Sequence, residues 1–175
     1  MPTSNSSPAT PEPRSASRRA ALLADRIEEG AAKLAAYVKG LSDTQWSKAV
    51  NATDRRTVGV VVHHVASVYP IEVDVARTIA SGKAVEVTWR DIAQMNAKHF
   101  GDNAEVSKDA ALELLAKNSR EAAAAVRALT DEELDRAAPF GLSYGAPVTA
   151  QFVIEDHALR HSWHHLAKIR ESLGQ

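Results

Sequence analysis

Cysteine is absent from the 175-residue sequence. That removes disulfides, a cysteine nucleophile and thiolate metal ligands together, so any metal must be held by nitrogen and oxygen. Any thiol chemistry must use a thiol supplied from outside. An excess of charge of either sign is also missing. With 21 Lys and Arg against 22 Asp and Glu, the formal net charge is −1, which gives no general attraction to phosphate backbones or anionic lipid. Nucleic acid is therefore not an expected partner. No run approaches the roughly 20 apolar residues that span a bilayer, and the N-terminus lacks the apolar stretch of a secretory signal. A cytoplasmic protein without a membrane partner is expected. No Gly-x-Ser-x-Gly elbow, glycine-rich phosphate loop or solenoid repeat occurs in the chain.

What is present is an ordinary globular composition, 45% hydrophobic and 25% charged, at a length that allows one domain with a sizeable core. Residues 1–16, "MPTSNSSPATPEPRSA", hold four of the seven prolines among Ser, Thr and Asn. Such a segment cannot bury enough apolar surface to offset chain entropy, so a disordered leader is expected before a domain over 17–175.

From Ser17, a plausible N-cap, apolar residues recur at helical spacing through Leu22, Leu23, Ile27, Leu34, Tyr37 and Leu41, predicting a helix that ends near Gly40. A second helix is expected from Thr57 to Gly82, with Pro70 inside it predicted to kink or split the segment. Its valine-rich start also suits a strand, but no partner strand is evident nearby. A shorter helix follows from Thr88 to Gly101, and Ser107 caps an alanine-rich one. "TDEE" at 130–133 has the pattern of a capping box. "APFGLSYGAPV" reads as turns, and a final helix runs from about Thr149 to Leu173. Four long helices with short accessory helices and no convincing sheet predict an all-α fold, a four-helix bundle.

Four of the seven histidines fall within "DHALRHSWHH", residues 156–165. Each helical residue turns about 100 degrees, so His157, His161 and His165 share one stripe, with His164 at its edge. Imidazoles four apart present two nitrogens to one ion. A competing stripe of Phe152, Leu159, Trp163, Leu166 and Leu173 lies about 120 to 180 degrees away, and as the core face it would turn the histidines to solvent. A homodimer would bury both faces. In "HHVAS", His63 and His64 point about 100 degrees apart. His64 shares its side with Val60, Val61, Val68, Ile71 and Val75, whereas His63 lies with Ser67 and Asp74, where solvation would suffice. A lone histidine on an apolar face is usually a core residue. A His-x-x-x-His pair on another helix changes that, because three neutral imidazoles plus water form an open divalent-metal site.

At these residues the sequence resembles the DinB/YfiT superfamily of four-helix bundles, which includes the metal-binding domain of mycothiol-dependent maleylpyruvate isomerase. "TVGVVVHHVAS" is similar to the family's second-helix histidine element, and "RHSWHHLAKIRESLG" to its last-helix "HxxxHxxqIxxxLG" ending. "DIAQMNAKHF" and "LTDEELDR" resemble two further family segments. The resemblance covers roughly residues 18–174. It implies a divalent ion, zinc or nickel, held by His64, His161 and His165. The chain departs from many relatives in having Leu166-Ala167-Lys168 in place of Arg-Gly-Gln, and in carrying His157.

Such a site implies a metal-dependent hydrolase or a transferase using an external low-molecular-weight thiol, acting on a small electrophile. The alternative is a bundle that binds metal or ligand without turnover, suggested by the lack of an obvious general base. Asn96, His99, Glu155 and Asp156 are candidates for orienting an imidazole or a bound water, although acids near a helix N-terminus more often serve its dipole. Trp46, Trp89 and Trp163 suit a pocket lining, but more commonly a core.

Overall fold

The computed structural model describes residues 17–175 except 52 and 54; the expected leader at 1–16 lies outside them. Four long helical segments form the bundle: α1 (Arg18–Lys39), α3 (Val58–Ala80), α5 (Lys108–Arg127) and a final segment over residues 150–173. Short helices α2 (Asp43–Trp46), α4 (Trp89–Asp102) and α6 (Asp131–Asp135) join them. The final segment comprises α7 (Ala150–Val153), a π-helical turn (Ile154–Leu159) and α8 (Arg160–Leu173). α1 packs against α5 and the final segment, and α3 packs against the same two, so α1 and α3 occupy opposite corners.

Local chemistry sets the helix limits. Ser17, Thr57 and Ser107 each accept a hydrogen bond from a backbone N–H of the first turn, and Thr130 with Glu133 forms the expected capping box. On α1 the buried residues Ala20, Leu23, Ala24, Ile27, Ala31, Leu34 and Val38 follow one helical stripe. They meet a core that includes Tyr69, Ile79, Leu115, Leu134, Ile154 and Ile169, all fully buried. Each large aliphatic side chain removed from water in this way contributes about 1.5–3 kcal/mol.

Pro70 neither splits nor ends α3, which runs unbroken from Val58 to Ala80. Proline lacks the N–H that would bond the carbonyl four residues back, that of Ala66. Asn118 of α5, itself buried, donates its side-chain N–H to that carbonyl at 2.8 Å. Tyr69 and Ser162 form a second buried link, at 2.6 Å, between α3 and α8.

By length and composition alone α3 is long and apolar enough to cross a membrane, but 67% of its apolar window is buried inside the bundle. Its hydrophobicity is that of a core helix flanked by α5 and the final segment.

The turn-rich stretch contains a small antiparallel sheet that the sequence did not announce, β1 (Ala137–Pro139) paired with β2 (Pro147–Thr149). Strands of three residues ending in or opening on proline show no period-two pattern long enough to separate from turns. The hairpin is bound to the segment before α4, where Gly141 N–H donates to Val85 at 2.8 Å. A Cβ on Gly141 would lie 2.2 Å from the Val87 carbonyl oxygen, so close backbone approach demands glycine there.

The Asn118–Ala66 link gives a testable cycle. Asn118→Ala leaves a buried carbonyl without a donor and is expected to cost about 1–3 kcal/mol in denaturant unfolding. Pro70→Ala, which restores the backbone N–H, should recover part of that loss in the Asn118→Ala background. Equal effects of Pro70→Ala in both backgrounds would remove the link.

Candidate metal centre

The site is assembled where α3 crosses the final helical segment. His64 lies in the second turn of α3 and is buried at 6% exposure, in line with its place on the apolar face. His161 and His165 come from successive turns of α8, and their rings stack with centroids 4.8 Å apart. The His64 ring meets His161 edge-on at 5.1 Å and His165 at 5.7 Å. One ring nitrogen from each of the three lies within 4.8 Å of the others. The sequence-predicted triad is therefore brought together from two helices.

The aliphatic stripe does not compete with this arrangement, because the final segment has neighbours on two sides. Leu159, Leu166 and Ile169 are buried as well as His165 and Ser162, with α1 and α3 as the two neighbours. Of the competing stripe, Leu159 and Leu166 are buried, Trp163 and Leu173 are half-buried and Phe152 is exposed, so one chain covers that face in part.

His157 departs from the expected stripe. The π-helical turn over Ile154–Leu159 takes more residues per turn than an α-helix, so the four-residue spacing no longer returns to one face. The His157 ring packs edge-on against Phe140 at 5.7 Å and lines the same cavity without joining the triad. His164 is exposed beside His165. His63 is half-buried and bonded to His99 at 2.9 Å, with Ser67 Oγ 3.3 Å from the same His63 nitrogen. It is held by α4, and simple solvation does not describe it.

Glu72, two turns beyond His64 on α3, was not singled out by the sequence. Its side chain is 9% exposed and its Oε1 lies 2.5 Å from His161 Nδ1. With Nδ1–H donating to this carboxylate, the lone pair of His161 is on Nε2, the tautomer that a metal ligand needs. The signal was a carboxylate in an otherwise apolar run, two turns from His64. Of the anticipated orienting groups, Asn96 and Asp156 line the adjoining cavity, His99 pairs with His63, and Glu155 bonds Gln151 away from it.

Burial governs the protonation of the cluster. Desolvation lowers His64 to about 3 and His165 to about 2, and the neighbouring imidazoles, His161 foremost, add to both shifts. His63, His99 and His164 are lowered too, again mainly by desolvation. His64 and His165 are consequently neutral at physiological pH and able to donate lone pairs.

A cavity of about 400 Å³ opens beside the cluster, within the size range of small-molecule sites. α4 supplies Ile92, Met95 and Asn96 to one wall, although no residue of α4 is buried. Trp89 at the rim donates its indole N–H to the Leu142 carbonyl at 3.2 Å. Trp46 is a core residue, and Trp163 is half-buried against Gly30. Two buried acceptors in the cavity wall, Glu72 Oε2 and Asn96 Oδ1, have no hydrogen-bond partner in the protein.

The donor set fits a divalent ion on this geometry. Three nitrogens converge, two of their rings are held neutral by burial, and a buried carboxylate fixes the third ring.

Comparison with known proteins follows the same line. A solved structure, YfiT from Bacillus subtilis, aligns with a TM-score of 0.71 over 92% of this chain and 90% of that one, at 24% identity. It is described as a probable metal-dependent hydrolase with an unusual four-helix bundle topology, and likeness at this identity speaks for the fold. No curated protein matches in sequence. The family model of the DinB superfamily matches residues 26–169, and the chain belongs to that superfamily.

Proposed function

We propose that the protein is a divalent-metal-dependent enzyme acting on a small electrophile, either as a hydrolase or as a transferase to an external low-molecular-weight thiol. The observation that carries this reading is the convergence of His64, His161 and His165 beside a cavity. The description of YfiT as a probable metal-dependent hydrolase supports it. His64, His161 and His165 would hold the ion, and three nitrogen donors suit zinc or nickel. When bound, such an ion supplies Lewis acidity, polarising a carbonyl or lowering the pKa of water or a thiol.

The chain's own groups do the rest. Glu72 fixes the His161 ring and its tautomer through Oε1. Its Oε2 and Asn96 Oδ1 accept from O–H, S–H or N–H groups entering the cavity, since no protein donor satisfies them. Apolar side chains of α3 and α4 exclude water from the space between. With no cysteine in the chain, a thiol nucleophile is a cosubstrate. Glu72 also supplies the base whose absence from the sequence motifs favoured a non-catalytic binder.

The reading is tested on protein purified without a histidine tag, by elemental analysis and by turnover of activated esters and amides, and of electrophiles with an added thiol. Turnover that stoichiometric zinc or nickel restores after chelation is the expected result; metal-bound protein inert in every assay would leave only a binder. His64→Ala or His161→Ala should abolish stoichiometric metal with the helical circular dichroism retained, and His63→Ala should not. Equal metal content in all three variants would refute the ligand set.

Glu72→Gln removes the carboxylate while keeping shape, and metal affinity is expected to fall about 10–100-fold. An unchanged affinity in competition with a chromophoric chelator would contradict the orienting role.

The metal-free protein should be acid-sensitive. Because His64 and His165 titrate lower when folded, at about 3 and about 2, than their ordinary 6.5, the unfolded chain binds more protons over that interval. Stability is thus complete above pH 6.5 and declines as the pH falls through that range. Denaturant midpoints of His64→Ala and wild type, compared at pH 7 and pH 5, check it: the variant should lose less on acidification.

A further inference from the structure

Two oxygens in the cavity wall, Glu72 Oε2 and Asn96 Oδ1, are buried without a hydrogen-bond partner in the protein. Each stands where the local pattern calls for an apolar side chain. On α4, Ile92, Met95, Asn96 and His99 recur at helical spacing and are half-buried, whereas the residues between them are exposed. His99 in this stripe bonds His63 of α3, so the stripe faces the bundle, and at Asn96 an amide takes the place of a packing residue. On α3, Glu72 is 9% exposed and follows Val68 and Ile71, which line the same cavity. A polar atom taken from water without a new partner costs stability, so folding alone explains neither position.

Two N–H donors of the cavity wall are committed elsewhere. Trp89 Nε1–H donates to the Leu142 carbonyl and Arg160 Nε–H to the carbonyl of Asp156. The His161 Nδ1–H serves Glu72 Oε1, which leaves Oε2 free to accept. Charge does not favour a cationic donor, because Arg56, Arg160 and Lys168 line the cavity against the carboxylates of Glu72 and Asp156. The group that suits the two oxygens is therefore uncharged and rich in N–H. An ester has no donor and an alcohol or thiol has a single one, whereas the NH₂ of a primary amide or urea has a pair. Val68, Ile71, Met95, Phe140 and Val153 make the remaining wall apolar.

We infer that Glu72 Oε2 and Asn96 Oδ1 form a subsite that reads N–H groups, and that the cavity selects a neutral carboxamide or ureido compound with an aliphatic or aryl body. The charged oxygen of Glu72 takes the first N–H and Asn96 the second. A ligand without donors leaves both oxygens buried and unpaired, which is how a site built to hydrogen-bond its ligand rejects an isostere. The inference narrows the proposed hydrolase or transferase to amide-type electrophiles over esters; only the placement of their carbonyl at the histidines rests on that reading.

The test is calorimetric titration of the metal-free protein with 3-phenylpropanamide, N-methyl-3-phenylpropanamide and methyl 3-phenylpropanoate, which share a skeleton and lose N–H donors in that order. The N-methylamide and the ester are isosteres, so size does not separate them. The N-methylamide should bind at least about tenfold more tightly than the ester, the scale of one hydrogen bond to a charged group. The primary amide should bind more tightly still. Asn96→Leu, at a half-buried position, should remove the advantage of the primary amide over the N-methylamide, and Asn96→Asp should keep it. Glu72→Gln should abolish the preference for amide over ester, because His161 Nδ1–H retains the glutamine oxygen and an N–H is turned into the cavity. Equal affinity for the N-methylamide and the ester would mean that water alone satisfies the two oxygens, and it overturns the inference. So do a preference that survives Glu72→Gln, tighter binding of 3-phenylpropylammonium than of the primary amide, and failure of all the compounds to bind. Metal content is measured separately: stoichiometric metal without an N–H preference rejects this inference alone, and an N–H preference without metal rejects the metal reading alone.

Discussion

The arrangement depends on taking imidazoles out of water, which keeps His64 and His165 uncharged. A buried imidazolium is expensive, and two or three together repel one another, so the cluster exists only where His64 and His165 are neutral and His161 has a carboxylate at its second nitrogen. Every element around the site serves that condition. α3 provides a histidine and an acid two turns apart, α8 provides the facing pair, and their antiparallel packing sets them at one level. The Tyr69–Ser162 hydrogen bond lies between the same two helices and fixes their register from inside the core.

This condition also explains features that would otherwise look like defects. A carboxylate oxygen and an amide oxygen are left buried without protein partners beside the imidazoles. Buried polar atoms are normally satisfied within the fold, and two unsatisfied acceptors in one cavity wall mark a place prepared for something from outside. The π-helical turn next to the cluster is of the same kind: it interrupts the regular hydrogen-bond ladder, removes His157 from the imidazole stripe and aims it at Phe140. α4 closes the cavity without burying any of its own residues: Ile92, Met95 and Asn96 line it, and His99 bonds His63 and meets the His64 ring edge-on at 5.5 Å. The cavity thus joins buried groups of α3 and α8 to the more exposed α4.

Much of the site was legible because helix periodicity is local. The four-residue spacing of His161 and His165, and the place of His64 on the valine face, follow from residue order alone. Glu72 was overlooked because an acid on a long helix usually faces solvent; its burial depends on what α8 places opposite. Pro70 was read on local grounds as kinking or splitting the helix, and the split does not occur; the compensating donor, Asn118, is 48 positions away in the chain on another helix. The hairpin escaped notice for a related reason: its strands are held by pairing with each other and with the segment around Val85, and their own sequence carries no strand period.

By itself the sequence determined the helices, their caps, the absence of thiol ligands and the faces on which the histidines stand, all set by interactions spanning at most a turn or two. The tertiary structure decided which side chains of the final helix are buried within one chain, that His63 is gripped by α4, that Glu72 orients His161 and that two acceptors stand without protein partners in the cavity wall. These are relations between residues distant in the chain, and burial and electrostatic environment have no value until the helices have packed.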